Sequence, residues 1–317
     1  MATTYKYPFA SGEDIKAAAS QVNLNFDIDN IQSSLSLAAN DLKDVVSKTV
    51  WDKMLTHFNS GSYAPLGDTV NDKLVNAFLS PLANMALYHH FIWLQLHISN
   101  SGVTVVKTER ETSAYKYQTD EAKDKLMQTA WIETSNLIDF LNENKADLSV
   151  WTESDQYKEL GNLIYTNYKD FDKYHSIDKN AAFYVRIRFI ISEIIKEYIQ
   201  PRIANPFAIT DEVKIIKVKR FLAYQAIAEA LLRLDPMHLP ISIRQSITNN
   251  MTNKHDDFTF VKEKLRANIA NKAANYLREL DVYTSAQVAD ADVPEGETQY
   301  TPYEANTDSD RKFFSAI

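Results

Sequence analysis

The sequence predicts a mainly α protein made of two similar helical subdomains, each with a small β hairpin, plus an extended C-terminal tail. Three observations lead there. Apolar residues recur at helical spacing through most of residues 28–280. Gly and Pro, which interrupt helices, number only 6 and 9 among 317 residues. The order long helix, loop, long helix, short strands, long helix is met twice, over 28–144 and 181–280. Two such units make a pair of subdomains, since a solenoid needs at least three.

In chain order, Ser11 with Asp14 three residues on reads as a capping box that opens a short helix to about Ser20. Asn23 to Asp27 is a polar break. Ile31, Leu35, Ala38, Leu42 and Val45 then share one helix face, continued by Trp51, Met54 and Leu55 until Asn59-Ser60-Gly61-Ser62 ends it. Val70, Leu74, Phe78, Leu82 and Met85 mark a second long helix, where Pro81 predicts a kink or a late start. A small strand pair follows. Ile98, Val103 and Val105 are placed to share a face, with Asn100-Ser101-Gly102 at the turn. A helix from about Thr119 to Asn144 completes the first subdomain, residues 1–144.

Residues 145–180 carry Trp151, Tyr157, Tyr165, Tyr168, Phe171 and Tyr174 among polar residues. Flexible linkers are rich in Gly, Ser or Pro, so this aromatic-rich connector, with a short helix around 155–167, is expected to pack on the body. The pattern restarts in the second subdomain, residues 181–283. Phe183, Ile187, Ile190, Ile194 and Tyr198 make a long helix stopped by Gln200-Pro201. Thr210 is placed as the N-cap of the next, with Asp211 and Glu212 in its first turn. Ile241 and Ile243 alternate like short strands, and 258–280 is the last long helix.

The tail, residues 284–317, is acidic, contains Pro294, Gly296 and Pro302, and lacks helical periodicity. A segment of that composition does not fold alone. Its Tyr300, Tyr303, Phe313 and Phe314 suit docking on a partner, with Arg311 and Lys312 set against acidic groups there.

Composition narrows the function classes. Hydrophobic content of 45% and charged content of 24% are those of an ordinary globular protein. A formal charge of −8 argues against coating nucleic acid, which needs a basic face. The absence of cysteine removes disulfides, thiolate catalysis and Cys-ligated zinc, and fits a reducing compartment. The N-terminus has no charged region followed by an apolar run, so no secretory signal is expected. The longest apolar stretches are broken by polar residues and fall short of the roughly 20 needed to span a membrane.

Catalytic patterns are not recognised. Gly61 and Gly67 do not lead into the lysine-bearing helix start of a phosphate loop. His89 and His90 would point about 100° apart on a helix and make a poor chelate. Glu109 and Glu111, and the Tyr115/Tyr117 pair, read more simply as solvated or packing surface. Arg186, Arg188, Lys214, Lys217, Lys219 and Arg220 form a basic cluster. It is either a solvated face with acidic neighbours or a patch for an acidic partner. No catalytic, cofactor or metal residue is therefore assigned, and the chain reads as a scaffold. The partner-binding candidates are Ile98, Val103 and Val105 with the tail's four aromatics and two cations.

The runs HISNSGV, SAYKYQTDEAKDKL and FDKYHSIDKNAAFYVRIRFIISEIIKEYIQP, with the acidic end closing on Asp310-Arg311-Lys312-Phe313-Phe314, resemble an uncharacterised family of Bacteroidetes phage and prophage proteins. Residues 15–55 are similar, more loosely, to helical head–tail connector proteins of tailed phages. The chain is longer than simple connectors, as a duplicated one would be. The resemblance implies a structural virion protein at the head–tail junction, made in the bacterial host cytoplasm. It would form a ring of about twelve subunits on the portal and further neck or tail proteins, with DNA passing through the lumen unread. Another virion or assembly protein, and a helical enzyme, stand as alternatives.

Overall fold

The computed structural model describes residues 5–19, 28–91, 93, 96–99, 102–105, 116–249 and 258–291. Helices dominate them. The first part holds α1 (Gly12–Ala18), α2 (Gln32–Val46), α3 (Lys48–Asn59), α4 (Val70–His90) and α5 (Lys116–Glu143). The connector holds α6 (Ser149–Thr152), α7 (Asp155–Gly161) and α8 (Tyr168–Asp172). The second part holds α9 (Ala181–Arg186), α10 (Arg188–Ile194), α11 (Glu212–Arg233), α12 (Ile241–Asn249) and α13 (Phe258–Ala291).

Local chemistry sets most boundaries. Ser11 caps α1 and Asp14 returns the bond, closing the expected box. Ser47 stands at φ 80°, a strained value for a residue with a Cβ. It divides what the periodicity reads as one helix into α2 and α3, and its hydroxyl accepts the Val50 N–H at 3.3 Å. α4 starts at Val70 despite Pro81 and runs unbroken to His90. Residues Pro81 to Tyr88 are buried, so packing on all sides overrides the local cost of the proline. The cap of α11 is Asp211, one residue beyond the expected Thr210; its carboxylate accepts the N–H groups of Val213 and Lys214.

Strand content departs from expectation. Leu96–Ser99 pairs antiparallel with Gly102–Val105, Ile98 standing opposite Val103 and Leu96 opposite Val105. The second expected strand pair is absent: residues 241–249 form α12. Ile243 and Ile247 are buried one helical turn apart, and two alternating isoleucines are too short a pattern to outweigh that spacing. A hairpin in each half is thus not what the chain builds. α13 also continues through Ala291, eight residues beyond 283, because Thr284 to Ala291 contain no proline or glycine. The tail's partner candidates, Tyr300 to Phe314, lie outside the described residues.

α4 packs on α2 and α5, and α11 packs on α10 and α13. α5 also rests on α9, which joins the two parts over one continuous core. The join is specific: the Ser135 hydroxyl accepts the first N–H of α9, from Ala181, at 3.0 Å and donates to the Trp131 carbonyl at 2.9 Å.

The two parts run in parallel. Val70 to Lys116 and Glu212 to Phe258, the starts of consecutive long helices, are both 46 residues apart. Val75, Phe78, Leu79 and Ala83 in α4 match Val218, Phe221, Leu222 and Ala226 in α11, residue for residue. Lys123-Asp124-Lys125-Leu126 in α5 answers Lys262-Glu263-Lys264-Leu265 in α13. From there, buried Ala130, Thr134 and Leu141 correspond to buried Ile269, Ala273 and Leu280. α10 passes into a π-helical turn, Ile195–Ile199, which accommodates one extra residue relative to α2. Leu35, Ala38 and Leu42 thus pair with Ile187, Ile190 and Ile194 before it, and Lys43-Asp44 with Lys196-Glu197 after it.

The connector belongs to the core. Trp151 is fully buried and its indole N–H donates to Asn142 at 3.0 Å. The rings of Tyr165 and Phe171 lie 4.9 Å apart, with Tyr184 closing the cluster. Lys219 reaches into it from α11 to meet Asp170 at 2.6 Å.

Candidate interaction site

Three features rise above packing: a polar clamp where the parts meet, a rigid loop with an exposed apolar tip, and an open cleft.

The clamp centres on Asp41 of α2. One carboxylate oxygen takes His89 at 2.9 Å, and the other takes Arg186 of α9 at 3.4 Å. Arg186 also lies 2.7 Å from Nδ1 of His238 and stacks 5.3 Å over Trp131. Burial works to raise the Asp41 carboxyl, but the His89 bond and the Arg186 charge hold it below its usual value. Burial lowers His238, and Arg186 beside it lowers it further. An aspartate–histidine pair suggests acid–base chemistry. Here both carboxylate oxygens are engaged, one by His89 of the first part and one by the Arg186 guanidinium of the second, so the arrangement fastens the two parts together.

The loop between α3 and α4 is built on Asp72. Its carboxylate accepts the Thr69 hydroxyl, His57 Nε2 at 2.8 Å and the Ala64 N–H at 3.0 Å. These bonds, the Thr69 hydroxyl first, lower its pKa to about 2. Asn76 donates to the Pro65 carbonyl at 2.9 Å and accepts from Tyr63 at 2.7 Å. The loop is thereby fixed, and at its tip Leu66 is 98% exposed. The corresponding loop before α11 carries Pro206-Phe207 three residues before Thr210, as Pro65-Leu66 stands three before Thr69; Phe207 is 53% exposed.

The cleft, of about 310 Å³, opens between α5, the connector and α9. Ile138, Tyr157, Leu160, Tyr168, Tyr184 and Val185 give it an apolar wall, and Lys145 stands on it as the cation.

The sequence-predicted candidates fare unevenly. Ile98, Val103 and Val105 sit in the strand pair, and their side chains lie outside the described residues, as do Glu109, Glu111 and Tyr115. Four of the six cations in the basic cluster are paired within the chain. Arg186 goes to Asp41, Arg188 to Glu159, Lys217 to Glu279 and Lys219 to Asp170. His89 and His90 diverge, His90 meeting Ser34 at 3.5 Å. Among the described residues, no three His, Cys, Asp or Glu groups are placed to hold a metal ion. None of the described helices is long and apolar enough to cross a membrane. Sequence reasoning missed Leu66, though the recurring Pro-apolar-x-x-Thr was a signal for it.

No curated protein and no solved structure matches the chain. One family model does, over residues 36–161 and again over 188–301, two stretches that each span the long helices described above. With most of its length so matched, the chain belongs to that group, a family of unknown function (DUF6712).

Proposed function

We propose that the chain is a duplicated, self-assembling structural protein of a tailed-phage virion, a head–tail connector that forms a ring on the portal. The duplication carries the reading. The two family matches, the equal helix spacing and the Val-x-x-Phe-Leu-x-x-x-Ala repeat in α4 and α11 all support it. A body of two fastened helical copies, with apolar residues held out on fixed loops, suits work done by shape and contact rather than by catalysis. Residues 292–317 would then lie along a neighbouring subunit or the portal, anchored by Tyr300, Tyr303, Phe313 and Phe314, with Arg311 and Lys312 on acidic groups. DNA would pass through the lumen without base contacts.

Sedimentation and negative-stain electron microscopy of the purified protein, alone and with its portal, test this. Rings are expected. A chain that remains monomeric in both conditions sinks the connector reading. An assembly that binds no portal favours a different virion or assembly role.

A further inference from the structure

We propose that Leu66 of one copy seats in the apolar cleft between α5, the connector and α9 of a second copy. This deepens the self-assembling reading above and rests on it. Leu66 is 98% exposed. Water meets an apolar tip that the Asp72 bonds hold in one conformation, so docking it would order little that is not already ordered. The cleft has the complementary character. Its volume of about 310 Å³ lies at the small end of ligand sites, which run roughly 300–1,000 Å³, and accepts a branched aliphatic side chain. Charges agree as well: Asp68, two residues from the tip, keeps its side chain almost fully exposed while pairing with Lys73 of its own chain at 3.4 Å, and Lys145 stands at the cleft.

The ring reading requires this contact to be heterologous, each copy offering its tip to one neighbour and its cleft to another, rather than a reciprocal two-fold pair. Contacts of that kind close into rings or run on as filaments.

The test uses Leu66→Asp and Gly161→Trp in the full chain. Leu66 touches little of its own subunit, and a Cβ at Gly161, which lines the cleft, meets nothing within 4 Å. Both variants should keep the wild-type circular dichroism and melting temperature, and each alone should sediment as a monomer. Mixed in equal amounts they should give dimers and nothing larger, because one intact tip meets one intact cleft. Asp68→Lys should weaken assembly, and Lys145→Glu added to it should restore it. Wild-type-like assembly by either single variant, or a mixture that stays monomeric, overturns the tip-in-cleft contact while leaving the ring reading in place. A wild-type chain that is monomeric at its highest soluble concentration overturns both.

Discussion

A Cβ at position 67 would lie 2.3 Å from Oδ2 of Asp72, closer than real side chains approach, so Gly67 is what lets the α3–α4 loop fold onto that carboxylate. The same carboxylate binds Ala64, Thr69 and His57, and the loop it organises holds out Leu66. Gly67→Ala should therefore destabilise the protein by about 1–3 kcal/mol, the usual cost of overpacking, and weaken self-association as well. Gly161→Ala, with open space around its Cβ, should change stability by less than about 0.5 kcal/mol. Urea unfolding of the two variants makes the comparison. Equal midpoints would mean that the loop yields freely and does not present a fixed tip.

The Lys219–Asp170 pair ties α11 to the connector with both side chains only 12% exposed. Asp170 also accepts the Thr166 N–H, and Lys219 lies 5.8 Å from the Tyr165 ring centre. Lys219→Met leaves the Asp170 carboxylate with only the exposed Lys173, at 3.7 Å, as its cation, which should cost about 1–3 kcal/mol. Removing the charge too, in Lys219→Met/Asp170→Asn, should recover a large part of that loss, because the penalty comes from a carboxylate that Lys173 only partly compensates. A double-mutant cycle by chemical unfolding measures it. Additive losses would show that the two groups act independently.

The two sets of long helices were legible because apolar residues at 3.6-residue spacing, as at Leu35, Ala38 and Leu42, leave a strong local signal. The connector's burial was legible from its aromatics. Other features depend on distance or on packing. Asp170 and Lys219 are 49 residues apart, and no local pattern pairs them. Two isoleucines in α12 suggest strands until the helix that buries Ile247 is in place. The one-residue offset between α2 and α10 hides the repeat from a fixed-register comparison, and the π turn at Ile195 resolves it. Leu66 is marked in the sequence only by the recurring Pro-apolar-x-x-Thr, and the folded bonds of Asp72 are what reveal that it is held rigid in water.

The proposed docking role of the C-terminal residues predicts a separation of stability from assembly. Deleting residues 296–317 should leave the melting temperature of the monomer unchanged and abolish or sharply reduce ring formation. Each large apolar side chain buried across an interface contributes roughly 1.5–3 kcal/mol, so the loss of Tyr300, Tyr303, Phe313 and Phe314 together is severe. Differential scanning calorimetry and sedimentation on one preparation decide it. A large fall in melting temperature would place these residues in their own subunit's core.

Stability should depend on pH in two separate windows. His90, His175 and His238 all have pKa values lowered from 6.5, chiefly by burial. Around them stand Ser34 for His90; Asp172, Lys272 and the Ser176 carbonyl for His175; and Arg186, Asp41, Asp235 and His89 for His238. A histidine with a lowered folded pKa binds its proton more readily in the unfolded chain. Stability is then complete above the unfolded value and falls as pH drops below about 6.5, by up to about 1.4 kcal/mol per pH unit for each such group. The carboxylates act later. Asp41 and Asp170 are lowered from 3.8, and Asp72 is lowered to about 2, so their contribution persists above pH 3.8 and is lost as pH falls toward 2. Chemical unfolding between pH 8 and 3 should show the first decline beginning near neutrality. His175→Phe, which keeps an aromatic ring against Tyr224, should make that first decline shallower and leave the acidic one in place. Stability that is flat from pH 8 to 5 would mean that these histidines protonate equally well in the folded chain, and that the clamp at Asp41 holds whether or not His238 is charged.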